Sequence, residues 1–127
     1  MPVVHTLAEL DKTLHAARPR FLELRVETEG GAALYALLNG DAGWLMYLRE
    51  NGDPGFSSRN SEYTGPAERV IEYRLDNGQI DEYPASWALS AGEVKKAIQH
   101  FLLTGEPAPW IAWHNDSGDG VVIGRPA

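Results

Sequence analysis

Ser90-Ala-Gly-Glu-Val-Lys-Lys-Ala-Ile-Gln-His-Phe-Leu-Leu-Thr-Gly-Glu-Pro-Ala-Pro-Trp-Ile-Ala-Trp113 is the stretch on which the fold turns. Ser90 precedes Glu93 by three residues, so each side chain can satisfy a free backbone N–H at a helix start. Val94, Ala97, Ile98, Phe101 and Leu102 recur at helical spacing and make one wide apolar face. Lys95, Lys96 and Gln99 point away from it. Gly105 suits a left-handed helix end, and Pro107 and Pro109 prevent the helix from resuming. Trp110, Ile111 and Trp113 then read as a short closing strand. The segment is a core anchor, and nothing in it looks catalytic.

Upstream, Thr6 and Glu9 form a second capping box, and Leu7, Leu10, Leu14 and Ala17 make an apolar stripe, predicting a helix over 6–17. Arg18-Pro19 ends it, because proline forces the preceding residue out of the helical region. Phe21 to Thr28 alternates, with Leu22, Leu24 and Val26 on one side and Glu23, Arg25 and Glu27 on the other, the pattern of a half-buried strand. Ala32–Leu38 is short and flanked by glycine, which argues against a helix. Asn39-Gly40 signals a hairpin into Gly43–Arg49. These three segments with short turns predict an antiparallel meander. Residues 51–66 are dominated by turn formers and predict a loop, although Phe56 and Tyr63 are costly to leave wholly wet. Arg69–Leu75, the turn Asp76-Asn77-Gly78 and Gln79–Tyr83 predict a further hairpin. Val121–Ile123 reads as an edge strand or an ordered tail. The order α, a run of β, α, β predicts an α+β fold: an antiparallel meander sheet with two helices packed on one face.

At 127 residues the chain is long enough for one domain with a real core, and residues 1–127 are read as a single domain. No run approaches the roughly 18 apolar residues of a membrane span. Met1-Pro-Val-Val-His-Thr6 lacks the basic flank and apolar stretch of a signal peptide. The absence of cysteine excludes disulfides, thiolate nucleophiles and Cys-based zinc sites, and fits a cytoplasmic location. The net charge of −7 is uneven, since residues 50–82 alone carry eight acids and three bases. An acidic patch disfavours nucleic acid and favours a basic partner. The plainer interpretation is a solvated surface that keeps the protein soluble.

Catalytic and metal chemistry find little support. No two of His5, His15, His100 and His114 have the helical spacing of a metal pair. His15 and His100 suit the negative ends of their helices. A site from His114, Asp116 and Asp119 is conceivable, but such a loop composition is common. No Gly-x-Ser-x-Gly elbow and no phosphate-cradling glycine motif appears. Asp81 and Glu82 are adjacent on a strand and point to opposite faces, which argues against joint acid–base work. No cofactor is implied. Of the twelve aromatic residues, Trp44, Phe101, Trp110 and Trp113 sit on periodic elements and read as core. Tyr63, Tyr73, Tyr83 and Trp87 lie in or beside the acidic stretch. Rings beside carboxylates are the composition of a binding surface, with anchors and steering charges side by side; half-buried rings on a sheet face are the other interpretation.

The chain resembles the bacterial immunity proteins that neutralise polymorphic deaminase toxins, the first immunity family. The residues that carry the likeness are Ala42-Gly-Trp-Leu-Met-Tyr-Leu48, the loop from Gly52 to Ser58, the turn Asp76-Asn-Gly78, Tyr83-Pro-Ala, and Ala97 to Trp113. Within the last, Phe-x-x-Thr-Gly-x-x-x-Pro-x-x-x-Trp is the most specific. The likeness covers about residues 35–114 and leaves the tail after Asn115 unmatched. It implies a non-enzymatic cytoplasmic antidote that binds a cognate toxin domain, often a nucleic-acid deaminase with a basic groove. The 50–66 loop and the 72–87 region would then cover the substrate entrance. Glu62, Glu72, Asp76, Asp81 and Glu82 would supply charge, and Tyr63, Tyr83 and Trp87 anchors. The free protein would be a monomer, or a weak dimer through an edge strand at 32–38. The alternative is a small-ligand or peptide-binding α+β module with a pocket between sheet and aromatics.

Overall fold

The computed structural model describes residues 1–16 and 20–125. Its elements in chain order are β1 (Val3–Val4), α1 (Leu7–His15), β2 (Phe21–Glu27), β3 (Ala33–Asn39), β4 (Ala42–Leu48), β5 (Phe56–Arg59), β6 (Val70–Arg74), β7 (Ile80–Pro84), a 3-10 turn (Ala85–Trp87), β8 (Leu89–Ser90), α2 (Ala91–Thr104) and β9 (Ala112–Asn115). Seven strands form one sheet in the order β1-β2-β3-β4-β5-β9, with β8 also paired to β4; β6 and β7 form a separate two-stranded ribbon. All pairings between these strands are antiparallel except β1 with β2.

The two helices start and stop where local chemistry dictates. Thr6 Oγ1 accepts from Glu9 N at 3.1 Å, and the Glu9 carboxylate accepts from His5 N. In α2 the reciprocal box is complete: Glu93 N donates to Ser90 Oγ and Ser90 N donates to the Glu93 carboxylate. Gly105 ends α2 at φ 74°, a conformation that costs a residue without a Cβ little. The described part of α1 ends at His15, so Ala17 and the proposed Arg18-Pro19 stop lie outside the described residues.

Both helices pack on one face of the sheet. Leu10, Val94, Ala97, Ile98 and Phe101 join Leu24, Val26, Leu34, Ala36, Leu38, Leu45, Tyr47, Phe56 and Trp113 in the main core. The contact is close at Gly43, where an added Cβ would lie 2.6 Å from Val94 Cγ2. The opposite face is covered too. Tyr73, with Ile71, Leu75, Tyr83 and Trp87, packs from the ribbon side on Leu37, Trp44, Tyr35 and Met46. The fold therefore has three layers: helices, sheet and ribbon.

The structure departs from the sequence-based expectation at several points. The 32–38 segment expected at an edge gives β3, Ala33–Asn39, at the middle of the sheet, and its unbroken apolar run reflects burial on both faces. The 69–83 hairpin does not extend the meander but lies across it. Within 51–66, Phe56-Ser57-Ser58-Arg59 is a strand rather than a loop, and its first three residues are buried. The two serines tolerate burial because their hydroxyls are satisfied. Ser58 Oγ accepts from Leu45 N at 3.0 Å, and Ser57 Oγ donates to Asp116 at 2.8 Å. Trp110 is not core: it is 42% exposed, outside β9, with its ring edge-on to His100. Of the two alternatives for Val121–Ile123, the structure gives the tail and not the edge strand: the chain runs on beside the start of β9, where Arg125 N donates to the Ile111 carbonyl at 3.0 Å.

Candidate functional site

The ribbon owes its register to its turn. Leu75 N donates to the Gln79 carbonyl, and Gly78 completes the turn at φ 91°. Ile71 then faces Tyr83, Tyr73 faces Asp81, and Glu72 faces Glu82. Residues directly opposite share a face, so 71, 73, 81 and 83 lie on the side turned to the sheet, and 70, 72, 74, 80, 82 and 84 lie on the outer side.

This division sorts the residues expected to bind a partner. On the inner side, Tyr83 stacks between Trp44, at 4.7 Å between ring centroids, and Trp87, at 5.8 Å. The Arg59 guanidinium covers Trp87 at 3.7 Å. Burial pushes the Tyr83 hydroxyl up to about 12, helped by its bond to Asp81; Tyr73 rises to about 12 for the first reason. Asp81 is on this side as well, accepting from Tyr83 Oη at 3.1 Å and from Gln79 Nε2 at 2.7 Å. On the outer side, Glu72 and Glu82 stand directly opposite each other, flanked by the exposed side chains of Val70 (51%) and Ile80 (52%). Arg74 Nε bonds Glu72 at 2.9 Å.

Asp76, in the ribbon turn, is exposed; its backbone N–H donates to the buried Glu23 carboxylate, and its own carboxylate lies 2.9 Å from the Met1 amino group. Glu62 and Tyr63 occupy a separate turn. Asn60 Oδ1 accepts from Glu62 N there, Tyr63 Oη donates to the Pro66 carbonyl, and Asn60 N donates to the Ser86 carbonyl next to Trp87. The Glu62 side chain is 81% exposed, 3.9 Å from Arg125. The structure thus brings Glu72 to Glu82 and Tyr83 to Trp87, and sets Glu72 and Glu82 outward while Tyr83, Trp87 and Asp81 lie on the inner side. Sequence reasoning missed Val70 and Ile80. The turn at 76–78 carried the signal, because it fixes which residues of the two strands share a face.

The remaining polar groups do not assemble into the arrangements weighed above. His114 Nδ1 bonds one oxygen of Asp116 at 2.8 Å, and Ser57 Oγ donates to the other. The hydroxyl proton therefore goes to a carboxylate and not to the imidazole, unlike a nucleophile–base pair. Asp119 points elsewhere: Val121 N–H, the Asn115 amide and Arg49 hold it well below the usual carboxylate range. Arg49 also bonds both oxygens of Asp53, depressing that group too. Among the described residues, no group of three His, Asp or Glu side chains converges as metal ligands would. The space between sheet and ribbon is taken by the rings themselves. A cleft of about 550 Å³ opens elsewhere, between the ends of the helices and β3, lined by Leu14, Leu22, Leu38, Arg20 and Lys95. No helix among the described residues is long and apolar enough to cross a membrane.

What fold and surface offer together is an α+β scaffold presenting a charged ribbon. The family model described as Immunity protein Imm1 matches residues 3–115, and the chain belongs to the Imm1 immunity protein family. It is an immunity protein, whose role is to neutralise a toxin. The matched span takes in both helices and all the strands, and stops where the returning tail begins. No curated protein matches the chain.

Proposed function

We propose that this immunity protein acts by blockade, laying the acidic surface of residues 62–82 over the substrate groove of a cognate toxin that deaminates a nucleic acid. The observation that carries the reading is the outward set of Glu62, Glu72, Asp76 and Glu82 in the stretch that holds most of the net negative charge. A groove that binds nucleic acid must be positively charged, so these carboxylates complement it and compete with phosphate for the same cations. Tyr63 and the half-exposed margins of Tyr83, Asp81 and Trp87 border the surface and supply contact area. The protein needs no cofactor for this and performs no chemistry on the toxin's substrate. It acts in the cytoplasm as one unit, free of membrane and nucleic acid, and as a monomer before it meets the toxin.

Co-expression with the toxin domain encoded by the adjoining gene tests the reading. Growth should be rescued, a stable complex should be recovered, and deamination of a nucleic-acid substrate should stop. Nucleic acid should compete with the immunity protein for the toxin. Persistent killing, or a ternary complex in which toxin still holds its substrate, overturns it.

A further inference from the structure

The backbone of the ribbon has a free edge. Leu75 pairs with Gln79 and Arg69 with Ala85 through backbone hydrogen bonds of 2.9 and 2.8 Å. Bonded and non-bonded pairs alternate in an antiparallel ladder, so 71 with 83 and 73 with 81 are bonded pairs, and 72 with 82 is not. Glu72, Ile80 and Glu82 therefore turn their N–H and C=O groups away from the ribbon. On the β6 side the Glu72 carbonyl is occupied, accepting from Asn39 Nδ2 at 2.8 Å. On the β7 side no described residue bonds the backbone groups of Ile80 or Glu82. Pro84, with no N–H, ends this open edge. By contrast, the tail lies beside β9: Arg125 N donates to the Ile111 carbonyl just before the strand, and the Val121 carbonyl accepts from the Asn115 side-chain amide.

The side chains along the same edge specify an occupant. A non-bonded pair brings its side chains closest together, so Glu72 and Glu82 confront each other as like charges, an arrangement unfavourable until a cation joins it. Arg74 reaches Glu72, but no described cation lies within ion-pair distance of Glu82. Exposed Ile80 lies on one side of Glu82 and Pro84 on the other. An extended segment added beside β7 would place every second side chain on this outer face. Its middle residue would meet Glu82, and the neighbours two residues away would meet Ile80 and Pro84.

We propose that the β7 edge receives an extended, basic segment of the toxin as an added strand, with a lysine or arginine laid across Glu82 toward Glu72 and apolar neighbours against Ile80 and Pro84. This rests on the immunity reading and adds to it the mode of contact. Amide hydrogen exchange on the unmodified protein, free and bound to the toxin domain, should show Ile80 and Glu82 slowed in the complex. Glu82→Pro removes the outward N–H and the charge but no bond of the ribbon, so the free protein should keep its Tm while affinity falls about 100-fold. Glu82→Gln keeps the N–H and should cost about 10-fold, with a shallower salt dependence. Unchanged exchange at Ile80 and Glu82, or a Glu82→Pro variant that binds as the unmodified protein does, overturns the strand-addition proposal alone. Failure of the unmodified protein to form any complex overturns this proposal and the immunity reading together.

Discussion

Trp44 sits at the join between sheet and ribbon. It is only 4% exposed, its ring stacks on Tyr83, and its Nε1–H has no partner among the described residues. A buried donor without an acceptor costs free energy, while the ring area contributes it. Trp44→Phe, which removes the orphan donor and keeps an aromatic ring, is expected to change stability by less than about 1.5 kcal/mol, and Trp44→Ala to cost about 3–5 kcal/mol. Urea denaturation separates the two, and equal losses would mean that the N–H has a partner after all. The tyrosines around it give a pH test. Tyr73 and Tyr83 are pushed up to about 12 from an ordinary 10 by burial, so the folded protein holds protons that the unfolded chain gives up first. Their contribution to stability is complete below pH 10 and is lost as pH rises from 10 to about 12. Spectrophotometric titration should show two tyrosines ionising near 12 in the folded protein and at ordinary values in urea; a single transition near 10 in the folded state contradicts it.

At the scale of elements, α2 and β4 approach each other closely at Gly43. An alanine Cβ at Gly43 would lie 2.6 Å from Val94 Cγ2 and 2.8 Å from Leu38 Cδ2, both buried in the main core. Gly43→Ala is expected to cost about 1–3 kcal/mol by forcing helix and strand apart. Combining it with Val94→Ala should recover part of that loss in a double-mutant cycle; strict additivity would show that the clash is relieved elsewhere. The same packing shows why α2 was legible in advance. Its caps lie three residues apart in sequence, and its stripe follows from a helical period that needs no knowledge of the partner. β5 was not legible. Ser57, Ser58 and the glycines before them look like turn formers until Leu45 and Asp116, distant in sequence, satisfy the hydroxyls.

For the whole molecule, charge governs how a partner arrives more than how long it stays. Replacing Glu62 and Glu72 by Gln and Asp76 by Asn together is expected to lower the association rate with the toxin domain about 10-fold at low ionic strength, and to leave dissociation within about 2-fold. Stopped-flow binding at two salt concentrations checks this. A change confined to dissociation would place these carboxylates inside the dry centre of the interface. The tail is a second molecular-scale feature. Arg49 joins the turn at Asp53 to Asp119, and Arg125 bonds back to the start of β9, so residues beyond the family match still close the sheet edge.

The amino-acid sequence by itself determined the helices, the first meander, the 76–78 hairpin, the α+β class and the uneven charge. Each of these depends on neighbours a few residues apart, where capping, period and turn chemistry act directly. The likeness in residues 35–114 also pointed to the immunity family that the match over 3–115 establishes. Only the tertiary structure decided that the hairpin forms a third layer, that 32–38 lies at the centre of the sheet, and that Trp110 is left out of the core. It also decided that Tyr73, Tyr83 and Asp81 turn inward while Glu72 and Glu82 turn out. Apolar residues at strand spacing show that a face is buried, but not which surface buries it; that choice is made by contacts between segments far apart in the chain.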